Sequence, residues 1–109
     1  IDLDKWYKKE AMRIFKERFD YNYQKFSRRI PYPSLTIRKM KTRWGVCNTK
    51  DYKVTLNLEL IKKDISCLDY VINHELAHLI YADHSKNFWS VVEENYPKYK
   101  ETRRLLKDY

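Results

Sequence analysis

The sequence predicts an α+β fold in which a long first helix precedes a small antiparallel sheet and three further helices follow. Apolar residues recur every three or four positions over residues 4–26, and apolar and polar residues alternate in 34–43 and 52–58. Helical periodicity returns after residue 66. The 109 residues include one Gly and three Pro, which argues against a loop-rich all-β fold. We expect one domain over residues 1–109, whose start at Ile1 rather than Met is compatible with a piece of a longer chain.

The first helix should run from about Asp4 to Phe26 and form the backing of the core. Asp2 or Asp4 can cap its beginning, because a carboxylate there accepts hydrogen bonds from the first free backbone N–H groups. The Ile30-Pro31-Tyr32-Pro33 segment ends it, since a residue before Pro is driven to extended geometry.

Two strands are predicted next, separated by turn residues. Residues 34–43 carry Leu35 and Ile37 on one face and mostly polar or basic residues on the other. Gly45 and residues 48–51 are typical of turns, and alternation resumes over 52–58. The two strands should form an antiparallel hairpin that leaves an edge for a third strand or for a bound peptide.

Three helices follow a connector at residues 60–65. Ser66, with Asp69 three residues later, can cap a helix that runs to about Tyr81. Ser85 can cap the next helix, over residues 86–96. Pro97 suits the first turn of a last helix that ends near residue 107.

All three histidines of the chain lie between positions 74 and 84. His74 and His78 stand one helical turn apart, so their imidazoles can meet one metal ion. His84 could return as a third ligand only if the helix ends near residues 81–83. Three ligands and one open position are the catalytic arrangement of zinc, whereas a structural zinc site is closed by a fourth ligand. A metal-free polar cluster in the core is the alternative.

Glu75, beside the first histidine, is the candidate general base. Zinc lowers the pKa of a bound water to about 7. The pattern therefore predicts that Glu75 can reach a water in the metal's open coordination position and take its proton. Two details stay open at this point. The candidates for the donor to the developing oxyanion are Tyr70, Tyr81 and Arg43, and those for acceptors behind a ligand imidazole are Asp69 and Asp83.

Cys47 and Cys67 are the only cysteines, too few for a disulfide scaffold. Reduced thiols indicate a cytoplasmic protein, and no stretch has the length of a membrane span or the pattern of a signal peptide. Cys47 as a nucleophile is a weaker alternative, because the histidines already have a role in the metal-site hypothesis.

The chain is basic, with 23 Lys and Arg against 15 Asp and Glu and a net charge of +8. Such a charge attracts polyanions, so nucleic acid is a possible partner, although no nucleic-acid-binding motif accompanies it. The oligomeric state is left open. The excess lies in three clusters: Lys25, Arg28 and Arg29; Arg38, Lys39, Lys41 and Arg43; and Lys98, Lys100, Arg103, Arg104 and Lys107.

Several segments together resemble one protein family, the YgjP-like metallopeptidases, a zincin-like group akin to the SprT and WLM proteases. The similarity extends over roughly Leu35 to Leu106, and the Arg-Trp-Gly-Val-Cys segment combined with His-Ser-Lys-Asn-Phe-Trp is more specific than the HExxH motif alone. The segments are residues 40–47, 56–58 with 60–61, 68–78 and 84–89.

The resemblance implies a minimal zincin-like domain and a zinc-dependent metallopeptidase. His74, His78 and His84 match the family's metal ligands, for one Zn²⁺ per chain, and Glu75 matches its catalytic glutamate. The spacing of the third histidine also resembles the metzincins, but Tyr81 stands where those have Gly. The alternatives are a basic nucleic-acid-associated module with a structural or vestigial metal site, and a DNA-recruited protease of the SprT type.

Overall fold

The structure, a computed structural model, describes residues 2–107 and 109. Helices and a small sheet make up the chain, as the predicted α+β class requires. The elements in order are α1 (Leu3–Lys25), β1 (Ser34–Arg38), β2 (Gly45–Asn48), β3 (Lys53–Asn57), a 3₁₀ turn (Leu58–Lys62), α2 (Ile65–His78), α3 (Lys86–Asn95) and α4 (Tyr99–Leu105).

Helix α1 backs the core, as predicted. Asp2 is its N-cap, and the carboxylate accepts hydrogen bonds from the backbone N–H groups of residues 4 and 5. Ala11, Phe15 and Phe19 share one face and are fully buried, so this face packs against α2 and contributes apolar area to a small core.

A part-buried ion pair ties α1 to α2. Arg18 donates from Nε and Nη2 to the two carboxylate oxygens of Asp69, at 2.9 and 2.7 Å, and Asn22 donates to the same carboxylate at 2.9 Å. Asp69 is therefore neither a helix cap nor an acceptor behind a metal ligand; it fixes how the two helices cross.

The sheet is mixed rather than antiparallel, which corrects the predicted hairpin. Its strand order is β1-β3-β2: β1 pairs with β3 in parallel, with Ser34 opposite Lys53, and only β2 and β3 form an antiparallel hairpin. The reason lies in residues 39–44, which leave the sheet after β1 and carry the chain to the far side of the position that β3 fills.

Gly45 begins strand β2 instead of forming a turn, and the predicted first strand ends at Arg38. The strand stops because the backbone N–H and C=O of Met40 bond to the side chain of Asn57, at 3.3 and 3.0 Å, and so leave the ladder.

Helix α2 is the central element of the core, and ten of its fourteen residues are buried. Asp64, not Ser66, is its N-cap, and accepts from the backbone N–H of Ser66 at 2.9 Å. The regular helix ends at His78, three residues earlier than the periodicity indicated. It packs against α1, α3, α4 and the sheet.

The last two helices close the core on the other side of α2. Ser85 is the N-cap of α3, as predicted, and its hydroxyl accepts from the backbone N–H of Phe88 at 3.3 Å. Pro97 lies in the turn before α4 rather than in its first helical turn. Within the described residues, none of the helices combines the length and hydropathy needed to cross a bilayer.

Candidate active site

The three histidines converge on one point at the C-terminal end of α2. His74 and His78 project from one face of the helix, and the turn after residue 78 brings His84 back toward them. The Nε2 atom of His78 lies 3.2 Å from that of His74 and 3.1 Å from that of His84, and the remaining pair is 3.4 Å apart.

The ring of His78 is oriented so that Nε2 is free to bind a metal. Its Nδ1 lies 3.1 Å from the backbone carbonyl oxygen of Tyr81. A carbonyl can only accept, so Nδ1 must carry the proton, and a neutral imidazole then has its lone pair on Nε2. Burial lowers the pKa of His78, which favours this neutral form. Tyr81 thus contributes through its backbone, and Asp83 is not the acceptor behind this ring.

His74 is the most enclosed of the three ligands, with 2% of its surface exposed. Burial, followed by the nearby His78 and His84, lowers its pKa to about 2. Its Nδ1 lies 3.2 Å from the hydroxyl of Tyr70, one helical turn earlier. With Nδ1–H donating to that hydroxyl, Nε2 again keeps the lone pair for a cation.

The cluster fits a tetrahedral zinc ion. Zn–N bonds of about 2.0–2.1 Å at the tetrahedral angle place two ligand nitrogens about 3.3–3.4 Å apart, close to the separations of these three. Among residues 2–107 and 109, no fourth His, Cys, Asp or Glu atom joins the cluster. Phe88 stacks on the His78 ring at 4.3 Å and Trp89 on the His84 ring at 5.8 Å, which restrains both rings.

Glu75 lies at the base of the same cavity and is 2% exposed. Burial raises the pKa of its carboxyl group to about 7, against the opposing effects of a hydrogen bond from Tyr109 and of the positive charge of Arg43. A carboxyl group with a pKa near neutrality can both accept and return a proton at physiological pH, as a general base requires.

Gly45 makes room for Glu75, and this explains the position of the chain's only glycine. A Cβ atom there would lie 2.9 Å from Oε2 of Glu75 and 2.9 Å from Cγ1 of Val71. Strand β2 therefore passes directly over α2 at the catalytic position, and only a residue without a side chain permits this distance. The sequence suggested a turn at Gly45 because glycine is common in turns and the polar run Asn48-Thr49-Lys50-Asp51 follows shortly after it.

Tyr109 is a residue of the site that the sequence pattern did not reveal. Its hydroxyl lies 2.6 Å from Oε2 of Glu75 and 2.6 Å from the carbonyl oxygen of Gly45, and accepts from the Gly45 N–H at 3.1 Å. Lys107, with a φ of 57°, turns the chain out of α4 toward the cavity. No motif carried this information, because Tyr109 reaches the site only through the packing of α4.

Asn57 organises one wall of the cavity and was also missed. Besides its two bonds to Met40, it donates to the carbonyl oxygen of Arg43 at 2.7 Å. It is 3% exposed. The sequence did contain one indication of this role. Asn57 lies between two leucines at the end of a predicted strand, and a buried amide requires hydrogen-bond partners.

Of the other candidate residues, some line the cavity and some do not. Arg43 and Cys47 line the cavity, which has a volume of about 1140 Å³. Cys47 is half-buried, and its pKa is raised to about 12 by burial and by the charge of Glu75, so it is a poor nucleophile at neutral pH. Tyr70 is fully buried.

Solved structures share this fold. The metallopeptidase zymogen abylysin of Pyrococcus abyssi superposes with a TM-score of 0.74 at 24% identity, over 84% of this chain and 90% of that one. The metallopeptidase zymogen jannalysin of Methanocaldococcus jannaschii gives a TM-score of 0.71 at 18% identity, over 84% and 92%. At these identities the likeness concerns the fold alone. Among curated proteins, no sequence matches the chain significantly.

A family comparison extends further than the motifs did. The model of the YgjP-like metallopeptidase domain matches residues 2–109, and so includes helix α1 as well as the region from Leu35 onward. The chain therefore belongs to the YgjP-like family of metallopeptidases, which are hydrolases.

Proposed function

We propose that this chain is a zinc-dependent peptidase that holds one zinc ion through the Nε2 atoms of His74, His78 and His84. The observation that carries the proposal is the separation of these atoms, 3.1–3.4 Å, in a cavity that also contains a buried carboxyl group. Zinc, when bound, supplies Lewis acidity, which polarises a carbonyl and acidifies a water molecule.

The protein's own residues supply the proton transfers. Glu75 takes the proton from the attacking water at its carboxylate and passes it to the leaving amide nitrogen. Of the three candidate oxyanion donors, we favour Arg43. It lines the cavity, whereas Tyr81 is not among the residues that line it and the hydroxyl of Tyr70 is engaged with His74.

The peptide would lie along the free edge of β2. This strand is at the margin of the sheet and runs over Glu75, so an extended substrate can pair with its backbone and bring a bond to the carboxylate. At Gly45, the hydroxyl of Tyr109 accepts from the N–H and lies within hydrogen-bonding distance of the C=O, and a substrate that pairs there must displace it.

Metal content and peptide cleavage test the proposal together. The wild-type protein should bind one equivalent of zinc and cleave members of a peptide library. Glu75→Gln should keep the zinc and lose the cleavage, and His78→Ala should lose the zinc. Unchanged turnover in Glu75→Gln would remove this residue from the mechanism, and stoichiometric zinc in His78→Ala would contradict the ligand assignment.

We further propose that the chain acts as a single domain in the cytoplasm, where Cys47 and Cys67 stay reduced. The alternative of a nucleic-acid module with a vestigial metal site is not favoured, because the general-base position is occupied by a buried glutamate that metal binding alone does not need. DNA recruitment remains a separate prediction. Binding that weakens steeply as salt rises would reveal it.

A further inference from the structure

The wall of the catalytic cavity is strongly basic, and this feature bears on the choice of substrate. Among the described residues, five cationic side chains and two carboxylates line it. One of the two is Glu75 itself, at the base, and the other is Glu59. We call the five cationic residues the basic rim: Lys39, Lys41, Arg43, Lys63 and Lys107.

Among the described residues, most members of the basic rim have no paired carboxylate. Glu59 is shared between Lys39, at 3.6 Å, and Lys62, at 2.8 Å. Within residues 2–107 and 109, no ion pair joins Lys41 or Lys107 to a carboxylate. Arg43 has only a longer-range interaction with Glu75. Neighbouring positive charges around one cavity repel one another, and an anionic ligand relieves that repulsion.

The backbone that carries three of these cations is held in place. Asn57 bonds to the N–H and C=O of Met40 and to the C=O of Arg43, and its own backbone N–H donates to Trp44 at 2.9 Å. The segment 39–44 is therefore fixed although its Lys and Arg side chains are exposed. Lys107, which follows α4, also lines the cavity and comes from a different part of the fold. The charges thus stand on two sides of the reaction centre.

Elsewhere on the surface, some basic residues are paired with carboxylates of the same chain. Arg18 is paired with Asp69, Arg28 with Glu94, and Arg13 with Glu10 and Glu17. Among residues 2–107 and 109, many Lys and Arg side chains outside the cavity also lack a paired carboxylate, so the basic rim is distinguished by its position around the candidate active site. An anionic ligand in this cavity can contact several of the rim's charges at once.

We propose that the cavity selects acidic peptides, with Asp or Glu side chains of the substrate bound by Lys41 and Lys107 beside the bond to be cleaved. This inference deepens the proposed function and rests on it for the cleavage step. Binding of an acidic peptide does not require the metal, so it can be tested independently.

The test compares three fluorescent peptides that share one core and differ only in Asp/Glu, Ala or Lys at the flanking positions. Their dissociation constants are measured by fluorescence anisotropy with the metal-free and zinc-loaded protein. The acidic peptide should bind about tenfold more tightly than the neutral one, the basic peptide most weakly, and the difference should shrink at high salt. Equal affinities for all three would overturn the proposal.

Matched charge reversals separate the cavity from the overall charge. Lys41→Glu should abolish the acidic preference. Lys8→Glu, which makes the same change in net charge on the exposed face of α1, should keep it. Equal losses in both variants would show that only net charge matters, and would refute selection by the cavity. Tighter binding of a single-stranded oligonucleotide that competes with the acidic peptide and is lost in Lys41→Glu would identify a nucleic-acid site instead.

Cleavage of the same peptides by the zinc-loaded protein completes the test. Preferential cleavage of the acidic peptide supports both proposals. Preferential binding without cleavage of any peptide supports the acidic specificity and counts against the peptidase function. Cleavage with no preference for the acidic peptide supports the peptidase function and refutes the acidic specificity.

Discussion

The hydroxyl of Tyr70 lies 3.2 Å from Nδ1 of His74, on the same buried face of α2. The two residues are one helical turn apart, so the helix itself sets their distance. The side of the imidazole that faces away from the metal position thus has a polar partner. A metal ligand supported in this way keeps its tautomer and its ring orientation.

Removing this hydroxyl should weaken zinc binding without unfolding the protein. In Tyr70→Phe, Nδ1–H of His74 loses its acceptor, and we expect zinc affinity to fall about 10- to 100-fold. Competition with a chromophoric chelator measures the change. Tyr96→Phe is the matched control, since it removes a hydroxyl that donates to the backbone of Ser66 and does not contact a ligand. Equal losses in the two variants would argue against a specific role for Tyr70.

A methyl group at Gly45 should disable the catalytic carboxylate. In Gly45→Ala the new Cβ would lie 2.9 Å from Glu75 and Val71, so the strand or the carboxylate must shift. We expect a loss of about 1–3 kcal/mol in stability from overpacking, and a fall in kcat of at least about tenfold from misplacement of the base. The zinc content should stay unchanged. Thermal unfolding and steady-state kinetics measure both effects, and wild-type turnover would show that the contact is not constraining.

Asn57 should contribute more to stability than its single side chain suggests. Asn57→Ala leaves the backbone groups of Met40 and Arg43 without their partner, and we expect the free energy of unfolding to fall by roughly 2–3 kcal/mol. Urea denaturation measures it. Asn48→Ala removes an amide that bonds only to Asp51 in an exposed turn, and should cost about 0.5 kcal/mol or less. Similar costs for both would contradict the role of Asn57 as the anchor of residues 39–44.

The thiol of Cys47 should react slowly with electrophiles at neutral pH. Burial raises the pKa of its thiol to about 12, so only about one molecule in ten thousand carries the thiolate at pH 8. Alkylation by iodoacetamide, followed by mass spectrometry, should be slow, and its rate should rise about tenfold per pH unit up to pH 10 as long as circular dichroism shows the protein folded. Cys47→Ala should retain peptide cleavage. A fast, pH-independent reaction, or a variant without activity, would restore the thiol as a candidate nucleophile.

Much of the fold, and the identity of the candidate metal ligands, could be predicted from local sequence. Helix α1, the N-caps at Asp2 and Ser85, and the strand over Lys53–Asn57 depend on periodicity and capping chemistry within a few residues. The pairing of β1 with β3 could not be deduced in this way. It depends on a crossover through residues 39–44 that Asn57 anchors from a distant point in the chain.

The sequence by itself determined which residues could hold a metal, because two histidines one turn apart on a helix must share a face. It also indicated the adjacent base. Only the tertiary structure decided that His84 returns to the other two, that β2 passes over Glu75 at Gly45, and that Tyr109 reaches the same carboxylate. These relationships join residues far apart along the chain. They arise from how the helices and the sheet pack together, which no local pattern of residues specifies.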